Sequence, residues 1–168
     1  FPPIISEFGW ERGVTAGAFS FGFVASMFFN PTIGRVMDRW GAPAVMVLGA
    51  VLTAAGLALA PLAREPWHLY VTLGVLVAAG TTCLGYTGHG LFLSNWFVKR
   101  RGMATGIAFS GVGVGAFLIL PWVGAVVARA GWRAGCWTMA ALVVVIVVPL
   151  NLWQRAEPES MGLVADGG

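Results

Sequence analysis

The sequence predicts an all-α protein that crosses a membrane several times, and three observations predict it. Only 10% of the 168 residues are charged while 58% are hydrophobic, whereas a soluble domain carries about 25% charged residues. The charges stand in tight clusters: Glu7, Glu11 and Arg12; Arg35, Asp38 and Arg39; Arg64 and Glu65; Lys99, Arg100 and Arg101; Arg129 and Arg133; and Arg155, Glu157, Glu159 and Asp166. Between them lie five runs without charge, 13–34, 40–63, 66–98, 102–128 and 134–154. Each reaches the roughly 20 residues that a helix needs to cross the hydrocarbon core. Third, Trp10, Trp40, Trp67, Trp96, Trp132 and Trp153 lie within a few residues of a run boundary, where a half-wet indole is favoured. Trp122 and Trp137 lie deeper.

Helix is the expected form because backbone groups in lipid must be bonded within the segment. Barrel strands would be about ten residues long and alternate in polarity. Taken in order, Phe1-Pro2-Pro3-Ile4-Ile5 is an apolar stub too short to span. It reads as the end of a first helix, about 1–6, whose start is missing. A signal peptide would need a basic segment ahead of its apolar core, and none precedes this stub. Helices are then expected at about 13–36, 42–63, 66–97, 102–128 and 132–153. Residues 154–168 turn polar, with Pro158, Gly162, Gly167 and Gly168, and read as the start of a linker. With no closing feature at Gly167-Gly168, a second half is expected to follow.

Alternate clusters share a side. One side carries Arg35, Arg39, Lys99, Arg100, Arg101 and Arg155, six basic residues, and the other Arg12, Arg64, Arg129 and Arg133, four. The excess of Lys and Arg puts the richer side, and residues 154–168 with it, in the cytoplasm, as for a protein of the plasma or inner cell membrane. The net charge of +3 therefore speaks of topology and not of nucleic acid. Cys83 and Cys136 fall inside spans without metal-type spacing, so buried, inert thiols are expected. No cofactor or metal is implied.

The helices differ in character. The run 142–148 is almost wholly aliphatic and reads as lipid-facing, and 50–60 is similar. The run 66–98 carries Thr72, Thr81, Thr82, Tyr86, Thr87, His89, Ser94 and Asn95. The run 102–128 is glycine-rich, and the pairs Gly102/Gly106 and Gly111/Gly115 have the four-residue spacing that lets two membrane helices approach closely.

Several loops carry motif residues. Gly34-Arg35-Val36-Met37-Asp38-Arg39-Trp40-Gly41 resembles the signature loop of the major facilitator superfamily, Gly-x-x-x-Asp-Arg-x-Gly followed by basic residues. Gly34 and Gly41 permit a tight turn. Asp38 is expected near the start of the third helix, where the helix dipole favours a carboxylate, with Arg39 available to pair with it. The sequence departs after Gly41, where Ala42-Pro43 replaces the usual basic pair. Phe8-Gly9-Trp10-Glu11-Arg12, Trp96-Phe97-Val98-Lys99-Arg100-Arg101-Gly102-Met103-Ala104-Thr105-Gly106, Gly131-Trp132-Arg133 and Glu157-Pro158-Glu159-Ser160-Met161-Gly162-Leu163 are similar to motifs of the monocarboxylate transporter and oxalate:formate antiporter-like branch.

The resemblance implies the six-helix N-terminal half of a major facilitator fold, its first helix truncated, whose missing partner is a C-terminal six-helix half. It implies secondary active transport by alternating access. The cargo would be a small organic anion such as a monocarboxylate, moved with a coupling proton by symport or in exchange by antiport. The Gly34, Asp38, Arg39 and Gly41 loop would brace the two halves in one conformation, and Lys99, Arg100 and Arg101 would mirror it while anchoring anionic headgroups. Helices one, two, four and five would face the cavity, and three and six the lipid.

Within the spans, His89 is the one ionisable residue away from a span end, apart from the two thiols, and such a residue is a functional candidate. Thr82, Tyr86 and His89 at i, i+4 and i+7 share one face of a continuous helix and are expected to line an aqueous cavity. The plainer alternative has a neutral His89 bonded to a neighbouring carbonyl. Ser110 either faces the same cavity or hydrogen-bonds a neighbouring helix. No catalytic constellation is present: there is no nucleophile with its base, no metal cluster and no phosphate loop, so an enzyme is not expected. The rival reading is a multi-pass structural or assembly protein in which the glycine-rich helix serves oligomerisation.

Overall fold

In the structure, a computed structural model, residues 12–85, 89–90, 92–93 and 96–154 are described. The stub at 1–6 and the linker from 155 lie outside them. Helix α1 spans Arg12–Trp40 and α2 spans Ala42–Leu59, prolonged by a 3-10 turn at Ala60–Leu62. Helix α3 covers Pro66–Leu84 and contains a π-helical segment at Tyr70–Val77. The next apolar stretch, Arg101–Trp153, is 53 residues long, roughly 80 Å of helix at 1.5 Å per residue, against a hydrocarbon core of about 30 Å. It is two spans. Gly131, with φ 83° and ψ 169°, interrupts it, leaving α4 at 101–130 and α5 at 132–153.

The helix ends have local causes. Gly41 has φ 80° and ψ 153°, a region only glycine occupies without strain. Its N–H still donates to Met37 O at 2.9 Å, closing α1. Pro43 then falls in the first turn of α2, where its missing N–H is harmless. Pro61 helps stop α2, and Ala63 is extended. Glu65 and His68 form a reciprocal capping box at the start of α3, satisfying N–H groups that a helix start leaves without partners.

Packing centres on α3. A Cβ added to Gly80 would fall against Thr53 Oγ1 and lie 2.5 Å from Gly49 O; one on Gly56 would lie 2.6 Å from Thr72 O. Thr53 turns its own hydroxyl back to Gly49 O at 2.9 Å. Gly49, Thr53 and Gly56 thus form the small-residue face on which α3 lies. On its other flank, a Cβ added to Gly22 would lie 3.3 Å from both Gly74 O and Ala78 Cβ. The glycine pairs expected to pack, Gly102/Gly106 and Gly111/Gly115, have nothing within 4 Å. Close approach of backbones belongs to α1, α2 and α3 among the described residues, while α4 meets a glycine only where Val127 faces Gly135 of α5.

Two buried clusters mark the two ends of the bundle. Ala18, Ala60, Ala63, Leu69 and Trp132 form one; Ile33, Met37, Ala42, Val45, Met46 and Cys83 form the other. Elsewhere large apolar side chains point outward: Phe23 is 75% exposed and Phe117 80%. Exposure on this scale marks surfaces covered by lipid or by other protein, and the chain is a multi-pass membrane protein.

Candidate functional site

A cavity of about 1110 Å³ opens between α1, α3, α4 and the first turns of α5, with Leu57 reaching in from α2. Phe19, Phe23, Leu73, Trp132 and Met139 make its wall apolar, and Ser26, Thr81 and Thr82 supply hydroxyls. The participation of α5 corrects the expectation that this helix faces lipid alone: Gly131 turns the chain so that Trp132, Gly135, Cys136 and Met139 reach the cavity. The rest of the helix, by contrast, exposes Val144, Val145 and Ile146.

Each hydroxyl proton is already committed to its own helix. Ser26 Oγ donates to Phe23 O at 2.7 Å. Thr81 Oγ1 donates to Val77 O at 2.8 Å and Thr82 Oγ1 to Ala78 O at 2.7 Å. What remains toward the cavity is acceptor capacity. Among the described residues, none that lines the cavity is a cation or a carboxylate.

Helix α3 stops at Leu84, and Gly85, at φ −78° and ψ −155°, is extended. Helical hydrogen bonding resumes beyond it, with His89 N–H donating to Gly85 O at 3.1 Å and Phe97 N–H to Leu93 O at 2.9 Å. His89 Nδ1 lies 2.6 Å from Leu84 O, the carbonyl of the last residue of α3. A carbonyl only accepts, so Nδ1 carries the proton, and in the neutral ring Nε2 keeps a lone pair. The continuous face expected for Thr82, Tyr86 and His89 is therefore interrupted. Thr82 lines the cavity with Gly85, His89 turns back onto the helix end, and Tyr86 lies outside the described residues. Of the two readings of His89, the carbonyl-bonded one matches this geometry.

Ser110 is exposed on α4 and donates to Ile107 O at 2.6 Å. It bonds its own helix and is not among the described residues that line this cavity. Gly34 also departs from expectation. It is helical within α1, and of the two motif glycines only Gly41 makes the turn. Asp38 consequently sits in the last turn of α1 and not at the start of α2, whose cap is Gly41 without a side-chain bond. Asp38 and Arg39 are both exposed, and as neighbours on one helix they point apart. Lys99, Arg100 and Arg101 are exposed where α4 begins, with Arg100 at the cap.

Ser26 and Thr81 are cavity residues that the motif reading passed over. The signal for Ser26 was present: Phe19, Gly22, Phe23 and Ser26 follow helical spacing along one face. Thr81 gave none, because next to Thr82 on an uninterrupted helix it belongs to a different face.

The sequence matches the Major Facilitator Superfamily over residues 1–165. The chain belongs to that superfamily. It is 30% identical to mouse monocarboxylate transporter 11 over 84% of this chain and 31% of that protein. It is 33% identical to Xenopus laevis monocarboxylate transporter 12 over 76% of this chain and 28% of that one. Similarity extends to a fujikurins efflux protein of Gibberella fujikuroi, 31% identical over 77% of the chain and 28% of the relative. The chain thus spans about a third of the length of the curated relatives it matches. Within the superfamily it corresponds to an N-terminal half of the monocarboxylate transporter type.

Proposed function

We propose that this chain is the N-terminal half of a secondary active transporter that moves a small organic anion, such as a monocarboxylate, by alternating access. The superfamily match along residues 1–165 carries the transport reading. The monocarboxylate relatives support the anion. The extended backbone at Gly85, beside a cavity bearing Thr81 and Thr82 and with His89 on the carbonyl of Leu84, supports a site at this end of α3. His89 Nε2, left free by the Nδ1 contact to Leu84 O, is the atom at which a coupling proton would be taken up. Among the described lining residues there is no carboxylate-binding cation, so that role is assigned to the remaining polypeptide, a first helix and a C-terminal six-helix half. The apolar cavity wall and the open glycines of α4 are surfaces on which that polypeptide would pack. The end bearing Gly41 and Lys99–Arg101 is placed in the cytoplasm with residues 154–168, and the Trp132 end outside the cell.

His89→Ala in the complete protein, reconstituted in liposomes, is expected to lower proton-driven uptake about tenfold or to flatten its dependence on pH. Uptake equal to the parent at every pH from 5 to 8 would remove His89 from the mechanism. The rival reading, a membrane assembly protein, is favoured by the open glycines of α4. It predicts no uptake at all and a glycine-dependent oligomer.

A further inference from the structure

Two side chains of α5 reach across to the final turns of α2. Arg133 Nε donates to Pro61 O at 3.1 Å, and Trp137 Nε1 donates to Ala58 O at 3.2 Å. The residues are four apart, on one face of α5. Their acceptors lie where α2 tightens into the 3-10 turn Ala60–Leu62 and ends. A helix end leaves its last carbonyls without intrahelical donors, and at a membrane boundary each unmatched carbonyl is costly. Here the donors come from another helix. The guanidinium also brings positive charge to the C-terminal, negative pole of α2, and it lies 4.9 Å over the Trp132 ring. Trp132 in turn is buried in the cluster that joins Ala18 of α1, Ala60 and Ala63 beside it, and Leu69 of α3. The left-handed Gly131 sets the start of α5 so that all three side chains reach.

We infer that Arg133 and Trp137 are positioning residues that fasten α5 to the end of α2, so that the two helices cross the transport cycle as one rigid pair. The cavity-lining turn Trp132–Met139 is then held at a fixed place relative to α3, which lies on the Gly49, Thr53 and Gly56 face of the same α2. Neither residue binds substrate in this scheme. They keep the wall of the cavity in register while the half moves. The effect on transport rate rests on the proposed function; the fastening itself does not.

The test uses the full-length protein in lipid nanodiscs and liposomes. Trp137→Phe keeps an aromatic ring and removes only the N–H, and Arg133→Ala removes the other donor. Hydrogen exchange of backbone amides at 57–64 and 132–139 is expected to rise about threefold or more in each variant, in both segments together, with little change at 42–50. Turnover is expected to fall about fivefold with KM within twofold of the parent. Unchanged exchange in both segments would overturn the fastening. A raised KM at parental turnover would overturn it too, because it would make Arg133 a substrate contact. If no substrate is transported by the parent protein, the proposed function fails, yet the exchange result still decides the fastening.

Discussion

Replacing Gly80 with valine is expected to destabilise the bundle by about 3 kcal/mol, the upper end of the overpacking range, and to cut the yield of folded protein sharply. A Cβ at this position would fall against Thr53 Oγ1, 2.5 Å from Gly49 O and 2.7 Å from Thr53 N. Two of those three atoms are backbone, so no rotamer change relieves the clash; α2 and α3 must separate. Separation also loosens the close approach at Gly56, where an added Cβ would lie 2.6 Å from Thr72 O, because the two sites lie on one interface. In a membrane the drive for helix association is close packing itself, so little else compensates. Thermal unfolding in detergent measures the effect. Gly13→Val, where nothing lies within 4 Å, is the control, with an expected change under about 0.5 kcal/mol. Equal unfolding temperatures for the two variants would show that α3 does not lie on α2 as described.

Asp38→Asn is expected to act in the opposite way, on rate and not on stability. Asp38 is exposed in the last turn of α1. A carboxylate there faces the negative pole of its own helix, an unfavourable position by about 0.3–1 kcal/mol. Neutralising it therefore leaves the fold unharmed or slightly firmer. A group kept at such a position has its use elsewhere, and under the proposed mechanism that use is bracing this half against the other in one conformation. Loss of the brace is expected to slow uptake at least tenfold, about 1.4 kcal/mol in the barrier. The thermal midpoint should stay equal to the parent's or rise. Parental uptake rates in Asp38→Asn would remove the loop from the gating mechanism, and a large fall in the midpoint would make Asp38 a structural residue instead.

The membrane-spanning helical character was legible because charge is so costly in lipid. Every charged residue among those described lies near a helix end: Arg12 at the start of α1, Arg35, Asp38 and Arg39 in its last turns, Arg64 and Glu65 between α2 and α3, Lys99, Arg100 and Arg101 where α4 begins, and Arg129 and Arg133 on either side of Gly131. Glycine was harder to read. Gly41 and Gly131 stand at chain turns with charged residues close by, and both have positive φ. Gly34 carries the same motif signature yet stays helical, since a glycine permits a turn without requiring one. The glycines that pack within this chain were hard to tell apart for a related reason. Spacing by four on α4 and the Gly49, Thr53 and Gly56 face on α2 look alike in sequence. Which of them meets a neighbour depends on the helix opposite, which no local pattern encodes. The Gly85 break was hidden inside a long uncharged run, where one glycine costs a helix only about 1 kcal/mol and no proline marks the stop. With the break unseen, Thr82 and His89 fell on one imagined face. The alternative in which His89 bonds a carbonyl needed only the chemistry of an imidazole in lipid, and it is the geometry found.

Uptake by the complete polypeptide, purified and reconstituted into liposomes, tests the central claim most directly. Radiolabelled lactate, oxalate and formate would be offered under an imposed inward proton gradient and, separately, to vesicles preloaded with the same anions. The account predicts saturable uptake of at least one of them above protein-free vesicles, lost when the gradient is collapsed or the internal anion is omitted. Uptake of all three at the level of protein-free vesicles in both formats would contradict it.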